Sequence, residues 1–358
     1  MAGGVSGRAL PRLDCRLAES AAPGFRGDQR GWAPPDGRRL SALGETGLLE
    51  ALVGLAAADG RLAIGPGDDA AVWELEGRAL AITTDSLVER VDFLPSFQSP
   101  REVGFKAWSA AASDLAAMGF GADLGVACLI CSPDTFAGTV LGIQEGMVEA
   151  ARRDGAQLAG GDVSSTDGPL TIAVTVLGSG PPGQAVRLSG ALPGDVVAVT
   201  GSLGGAAAAL RLLESGRVPP ESWRRRLVAP VARLAEGQRL RAAGAHAMTD
   251  LSDGLLVDAS RLAAASSCQL ELWADHLPLE RDLEAFFPGE SLQLGAAGGE
   301  DYELLVCLPE ALARDLGAQS QGVGTSVVGR VCQGAGVRLL ESPGGSVVPL
   351  SSRGFRHF

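Results

Sequence analysis

The segment Gly65-Pro66-Gly67-Asp68-Asp69-Ala70-Ala71-Val72 sets two adjacent carboxylates on a glycine turn ahead of small apolar residues. Thr83-Thr84-Asp85 reads as a second acidic turn a hairpin's length downstream. Residues 71–82 read as two short strands around Glu76-Gly77, and closing that hairpin returns Asp85 to the neighbourhood of Asp68 and Asp69. Three carboxylates drawn together repel, so the arrangement calls for cations. Hard oxygen ligands on short side chains suit Mg²⁺, which keeps waters and takes substrate phosphate oxygens as further ligands. Taken alone, Asp68 and Asp69 are ordinary turn residues. The same acidic punctuation recurs, however, at Asp114, Asp162, Asp250, Asp253, Glu300 and Asp301, beside Gly, Ser or Thr. Singly, these are a solvated helix residue, a turn former or a helix cap. As a set they describe one polynuclear Mg²⁺ site that handles phosphates.

Composition narrows the partners. The chain has 358 residues, 46% of them apolar, enough for two domains of ordinary size. Thirty Lys and Arg against 42 Asp and Glu give a formal charge of −12. That excludes the basic footprint of a nucleic-acid binder, while metal-assisted phosphate binding stays open. Cys128 and Cys131 have CxxC spacing within an apolar strand pattern and no second pair follows, so the six cysteines read as thiols in a reducing cytoplasm. His246, His276 and His357 lack zinc-ligand spacing. No apolar run is long enough to span a bilayer. Lys106 is the single lysine.

The elements that must position the acids alternate between strand and helix in both halves, the signature of two α/β domains. Residues 1–39, rich in Gly, Ala, Pro and Arg, show no period and no signal-peptide core, and read as a disordered extension that is dispensable for activity. Residues 40–180 form the first domain. It opens with a helix over 45–57, followed by the acidic hairpin. Ser99-Pro100 is an N-cap and first-turn proline for a helix that runs to Met118 and stops at Gly119. Lys106, Ala110 and Asp114 share one face of that helix, with Val103, Ala107, Trp108 and Ala111 opposite, so Lys106 should reach the acids. A strand over 122–130, a helix from Ser132-Pro133 to Gly155, and strands over 157–159 and 170–177 complete the domain. Gly160-Gly161-Asp162 then falls at a strand end. The Gly- and Pro-rich stretch 178–194 is the junction, and residues 181–358 form the second domain. There a strand over 195–199 feeds Thr200-Gly201-Ser202-Leu203-Gly204-Gly205 and a helix. This turn lacks the Lys-Ser/Thr of a P-loop and is assigned to close helix–strand packing. A strand over 245–249 leads into Asp250-Leu251-Ser252-Asp253-Gly254, and Gly299-Glu300-Asp301-Tyr302-Glu303 leads into a strand over 304–308. A hairpin over 337–350 precedes the tail.

Six pieces in order carry a resemblance: Gly67-Asp68-Asp69-Ala70-Ala71-Val72, Thr83-Thr84-Asp85-Ser86-Leu87-Val88-Glu89, Ser113-Asp114-Leu115-Ala116-Ala117-Met118-Gly119, Gly160-Gly161-Asp162, Asp250-Leu251-Ser252-Asp253-Gly254-Leu255 and Gly299-Glu300-Asp301-Tyr302-Glu303-Leu304. From about Leu40 onward the chain resembles the thiamine-monophosphate kinase family, in the superfamily of aminoimidazole ribonucleotide synthetase, selenophosphate synthetase and a hydrogenase maturation factor. The resemblance implies an α/β (α+β) homodimer of two-domain chains, the first domains pairing their mixed sheets across the dimer. It implies ATP- and Mg²⁺-dependent phosphorylation of thiamine monophosphate to the diphosphate. Carried over by motif, Asp69, Thr83, Thr84, Asp85, Asp114, Asp162, Asp250 and Asp253 are the metal ligands. Gly161, Asp162, Arg187 and Ser252 face ATP, and Asp92, Glu300 and Phe355 line the thiamine site.

Three departures bear on substrate fit. Asp92 stands where the family has His, Val163-Ser164 replaces Thr-Thr after Gly160-Gly161-Asp162, and Arg356-His357-Phe358 replaces Asp-His-Phe. The acceptor is already a phosphate anion, so no general base is required, and metals between carboxylates and phosphates support direct in-line transfer. Two alternatives remain. One is another ATP-dependent member of the superfamily, although Cys15 lacks the context a selenophosphate synthetase needs. The other is an inactive nucleotide-binding interaction protein, which would have lost metal ligands.

Overall fold

Residues 40–55, 62–313, 324–350 and 354 are described by a computed structural model. Residues 1–39, Phe355 and the closing Arg356-His357-Phe358 lie outside them, so the expectations for the extension and for Phe355 have no structural account. Helix α1 (Leu40–Leu55) starts five residues before the expected helix and is broken at Gly44. From Glu50 onward the described residues form one compact unit.

The first sheet has the order β1-β2-β5-β3-β4. Strands β1 (Ala71–Leu75) and β2 (Arg78–Val88) make the expected hairpin, with Ala71 opposite Ile82. Strand β2 does not end at the threonines. It runs through Thr83-Thr84-Asp85, which is mid-strand and not a turn. Helix α2 (Pro100–Ala117) has the full capping box: Glu102 N–H donates to the Ser99 hydroxyl, and the Ser99 N–H donates to the Glu102 carboxylate. It ends at Met118, with Gly119 at φ 73°.

Strand β3 (Leu124–Cys131) is followed by α3 (Ala137–Arg153), which begins four residues after the expected Pro133. The Ser132 hydroxyl accepts the Asp134 N–H and closes a turn there instead of a helical cap. Strand β4 (Gln157–Ser165) runs straight through Gly160-Gly161-Asp162, so Asp162 too is mid-strand. A Cβ at Gly161 would sit 1.8 Å from the Ala127 carbonyl oxygen, so only glycine permits the close pairing with β3. Strand β5 (Thr171–Gly180) lies between β2 and β3.

After a connection without regular structure come β6 (Asp195–Thr200), α4 (Gly205–Glu214), α5 (Glu221–Val228), α6 (Leu234–Ala242), β7 (Ala247–Asp250) and α7 (Leu255–Ala265). Then follow β8 (Gln269–Trp273), α8 (Leu283–Phe286), α9 (Ser291–Ala297), β9 (Leu304–Pro309), β10 (Thr325–Cys332) and β11 (Gly336–Leu340). The second sheet has the order β11-β8-β10-β6-β9-β7. The expected hairpin over 337–350 reduces to one antiparallel bridge, Leu340 to Val347. The main partner of β11 is the distant β8, in parallel.

Helix α2 packs on β2 and β5 of the first sheet, on α3, and on α6 and β7 of the second half. It is buried on nearly every side, including the face of Lys106, Ala110 and Ser113. One apolar cluster therefore runs through the helix from Val72 and Val174 to Met248 and Val306. Because that helix is held from both halves, residues along it keep fixed positions relative to both sheets.

Candidate active site

The hairpin register delivers what the sequence spacing implied. Asp85 lies three residues beyond the Ala71–Ile82 pair, so β2 brings it back beside the turn that carries Asp68 and Asp69. Its side chain shares the α2 face of the sheet with Ala79, Ala81, Thr83 and Leu87. The Thr83 hydroxyl donates to Asp114 Oδ2 on α2. From the second half, Asp250 closes β7, and the Thr249 hydroxyl donates to Asp69 Oδ1 at 3.2 Å. Asp69, Thr83, Asp85, Asp114, Asp250 and Asp253 thus converge from four parts of the chain: the turn before β1, strand β2, helix α2, and β7 with the loop after it.

The electrostatics record the cost. Burial, together with the charges of Asp250 and Asp68, holds the Asp69 carboxyl well above its ordinary range. Burial and the Asp250 charge do the same to Asp114, against the opposing Thr83 hydroxyl. Asp250 is pushed up to about 6, first by burial and then by Asp85 and Asp253. Asp69 Oδ2 is buried without a hydrogen-bond partner. A buried carboxylate oxygen left unpartnered amid like charges is a site for a cation. Among the described residues, no group of three or more His, Cys, Asp or Glu is gathered closely enough to hold a metal ion by itself, so water and phosphate oxygens would have to complete any shell. Such an open set fits Mg²⁺, held by one or two carboxylates with water and phosphate completing its shell, better than a caged Ca²⁺ or Zn²⁺.

Asp68 plays a different part. Its Oδ1 accepts the N–H of Asp69 and of Leu188, each at 3.0 Å, so it shapes the turn and ties it to the connection between the sheets. Burial raises the Asp68 carboxyl above its ordinary range, opposed by the Leu188 and Asp69 N–H groups and by the charge of the exposed Arg187. Asp253 pairs with Arg261 at 2.7 Å.

Two expected ligands are not brought to the cluster within one chain. Thr84 pairs with Thr175, and Asp162 pairs with Cys128, in rows whose side chains point to the open face of the first sheet. Asp85 pairs with buried Val174 on the other face. Successive residues of a strand alternate faces, so reading Thr84 as a turn residue and Asp162 as a strand-end residue misplaced them. Gly161 lies on the same edge strand, three strands from β2. Asp301 also leaves the cluster. It is buried, and both carboxylate oxygens accept the Gly204 N–H, at 3.1 and 2.9 Å. The Gly204 N–H is therefore already used, and a Cβ at Gly204 would meet the Gly295 backbone N at 2.9 Å. Burial pushes Asp301 up to about 8.

The sequence reading missed Asp258. It is 1% exposed, its Oδ2 accepts the N–H groups of Asp253 and Gly254, and the Asp250 charge adds to burial in raising its pKa. An acid in the first turn of a helix directly after an acidic loop was the available signal.

Beside the cluster is a cavity of about 250 Å³ lined by Asp92, Phe97, Leu210, Ser252 and Glu300, among others. Asp92 Oδ2 accepts the Val88 N–H at 2.7 Å, and Arg90 pairs with Glu89 and not with Asp92. Lys106, 1% exposed, donates to Glu300 and to the Asp92 carbonyl oxygen, so it does reach one of the acids. Asp92, Ser252 and Glu300 thus line one cavity.

Comparison with known proteins agrees with this geometry. Residues 67–179 match the AIR synthase related protein, N-terminal domain, and residues 193–340 match the corresponding C-terminal domain. The fold alone is shared with the hydrogenase maturation protein HypE at 19% identity and a TM-score of 0.64. The two sheets bridged by α2 are therefore the two-domain architecture of AIR synthase related proteins.

Within that class, the thiamine-monophosphate kinase of Methanopyrus kandleri is 33% identical over 322 residues, covering 87% of this chain and 97% of the relative. That of Escherichia coli K12 is 34% identical over 309 residues, covering 82% and 92%. A structure of AaThiL complexed with AMPPCP and TMP superposes with a TM-score of 0.79 at 30% identity, covering 90% of this chain and 99% of that one. The chain belongs to the thiamine-monophosphate kinase family.

Proposed function

We propose that this protein transfers the γ-phosphoryl group of ATP to thiamine monophosphate, giving thiamine diphosphate, with Mg²⁺ at the carboxylate cluster. The observation that carries the reading is the convergence of Asp69, Asp85, Asp114 and Asp250, whose charges raise the pKa values of Asp69, Asp114 and Asp250, with the Asp69 Oδ2 buried and unpartnered. Asp69, Asp85, Asp114, Asp250 and Asp253 hold the metal, and Thr83 orients Asp114. When bound, Mg²⁺ supplies the positive charge that offsets repulsion between the two phosphate groups. The chain's share of the work is positional. Helix α2 and strands β2 and β7 fix the carboxylates, and Arg187 offers a cation at the cluster's edge for the nucleotide phosphates. Gly161, Asp162 and Ser252 are kept as its further contacts, and Asp92, Glu300 and Phe355 as contacts to the thiamine part. Asp92 supplies an anionic wall for a cationic ring system.

The protein functions as a homodimer of two-domain chains divided near residue 180. Trp73, Leu75, Ile82, Leu124 and Val126 are exposed on the sheet face opposite α2, an apolar surface that a second sheet would cover. Thr84 and Asp162 lie on that same face, so their roles depend on the partner. No helix among the described residues is long and apolar enough to cross a membrane, and the described cysteines are free, which supports a cytoplasmic enzyme.

The test is incubation with ATP, Mg²⁺ and thiamine monophosphate, with the products separated by chromatography. Thiamine diphosphate formed in step with ADP is expected. ATP hydrolysis without a phosphorylated thiamine product would contradict the assignment.

A further inference from the structure

A buried lysine is costly unless its charge is met, and Lys106, on the fully packed α2, is the only lysine in the chain. Its ammonium is shared between two segments far apart in sequence. One is the turn after β2, where it donates to the Asp92 carbonyl oxygen at 2.7 Å. The other is the 299–302 loop, where it pairs with the Glu300 carboxylate. Both segments are held in specific backbone conformations. In the first, Arg90 has φ 69° and its N–H donates to the Phe93 carbonyl. In the second, Glu300 has φ 67° and Tyr302 φ 49°, while the Glu300 N–H donates to the Ser252 carbonyl at 2.7 Å and the Tyr302 N–H to the Leu251 carbonyl at 2.9 Å. Residues of L configuration occupy that region only when surroundings enforce it. Both segments line the cavity of about 250 Å³ beside the acid cluster, the first through Asp92 and the second through Gly299 and Glu300.

We infer that Lys106 is a positioning residue for the acceptor substrate: it clamps the Asp92 and Glu300 walls together and so sets the pocket for the organic, cationic part of the acceptor. Two consequences follow. The Lys106–Glu300 pair is neutral as a unit, so Asp92 is left as the anionic wall. In addition, Lys106 and Asp114 are eight residues apart on one rigid helix, a rise of about 12 Å. Helix α2 thereby fixes the separation between the end of the site that handles phosphate and the end that holds the rest of the acceptor.

This inference rests on the proposed function, and the experiment separates the two. Steady-state kinetics are measured for the wild type, Lys106→Met, Glu300→Gln and the double variant, with thiamine monophosphate and ATP varied in turn and Tm recorded for each. Lys106→Met and Glu300→Gln should each raise KM for thiamine monophosphate about tenfold and leave KM for ATP within about twofold. The double variant should be no worse than Lys106→Met alone, because both changes open the same clamp. If Lys106→Met fails to fold, Lys106→Gln carries the test, since Glu300 is itself placed against the acceptor and its variant alone would raise KM with or without the clamp. A lowered Tm with unchanged KM for thiamine monophosphate in the folded variants would make the pair purely structural and overturn the inference. A wild type that hydrolyses ATP but leaves thiamine monophosphate untouched would overturn the function on which it rests.

Discussion

Two groups of buried acids lie in this molecule, and they have been treated in opposite ways. Glu303 is fully buried and completely met: Arg233 donates from Nε at 2.7 Å and from its NH2 group, Arg226 at 3.2 Å, and the Thr200 hydroxyl at 2.7 Å. Asp69, Asp114 and Asp250 are also largely withdrawn from solvent, yet the largest charges acting on them are other carboxylates: Asp250 on Asp69 and Asp114, and Asp85 and Asp253 on Asp250, with Arg261 a smaller opposing charge. A buried acid supplied with its own cations holds the fold together. Buried acids set chiefly against one another store repulsion that an external cation relieves. The contrast, more than the number of acids, separates a scaffold from a site.

The largest effect that sharpens this contrast is on stability. Glu303→Gln strips charge from a site where two arginines are already committed, and should cost about 3–5 kcal/mol. Chemical denaturation should show the loss, and added Mg²⁺ should not restore it. Asp85→Asn should behave in the reverse way. Removing one member of a repelling set leaves the metal-free fold at least as stable, while turnover falls about 10²–10³-fold because the phosphates are no longer held in line. A normal rate in this variant would reassign Asp85 to a purely structural role.

A smaller effect is pH dependence without metal. Asp250 and Asp301 have folded pKa values near 6 and 8, above the ordinary 3.8 of an unfolded aspartate. The folded chain therefore keeps protons that the unfolded chain releases. Their stabilising contribution is complete below the unfolded value and is lost as pH rises through the folded ones. The Tm of the metal-free protein should fall between about pH 5 and 8. Mg²⁺ should flatten the part due to the cluster, since it replaces the protons there. The part due to Asp301, hydrogen-bonded to Gly204, should persist.

The legible features were those governed by one local period. The hairpin count returned Asp85 to Asp69, the Ser99-Pro100 cap and first-turn proline located α2, and the helical repeat placed Lys106 and Asp114 on one face. What the sequence hid depended on strand continuity and distant pairing. Because β2 and β4 continue through their Thr-Thr-Asp and Gly-Gly-Asp segments, Thr84 and Asp162 face away from Asp85. Within Glu300-Asp301-Tyr302-Glu303, positive φ at Glu300 and Tyr302 sends Glu300 to the cavity while Asp301 turns to Gly204 and Glu303 to the arginines. No local pattern announces that split, nor the pairing of β11 with β8. Asp258 escaped notice because its function is to hold the Asp253-Gly254 turn, which only the fold reveals.

The most direct test of the central claim is metal removal. Phosphorylation of thiamine monophosphate by ATP is followed after exhaustive EDTA treatment and dialysis, and again after Mg²⁺ is returned. The buried, mutually repelling carboxylates predict no turnover in the stripped protein, recovery on adding Mg²⁺, and a higher Tm alongside that recovery. Full turnover by the metal-free protein would contradict the account.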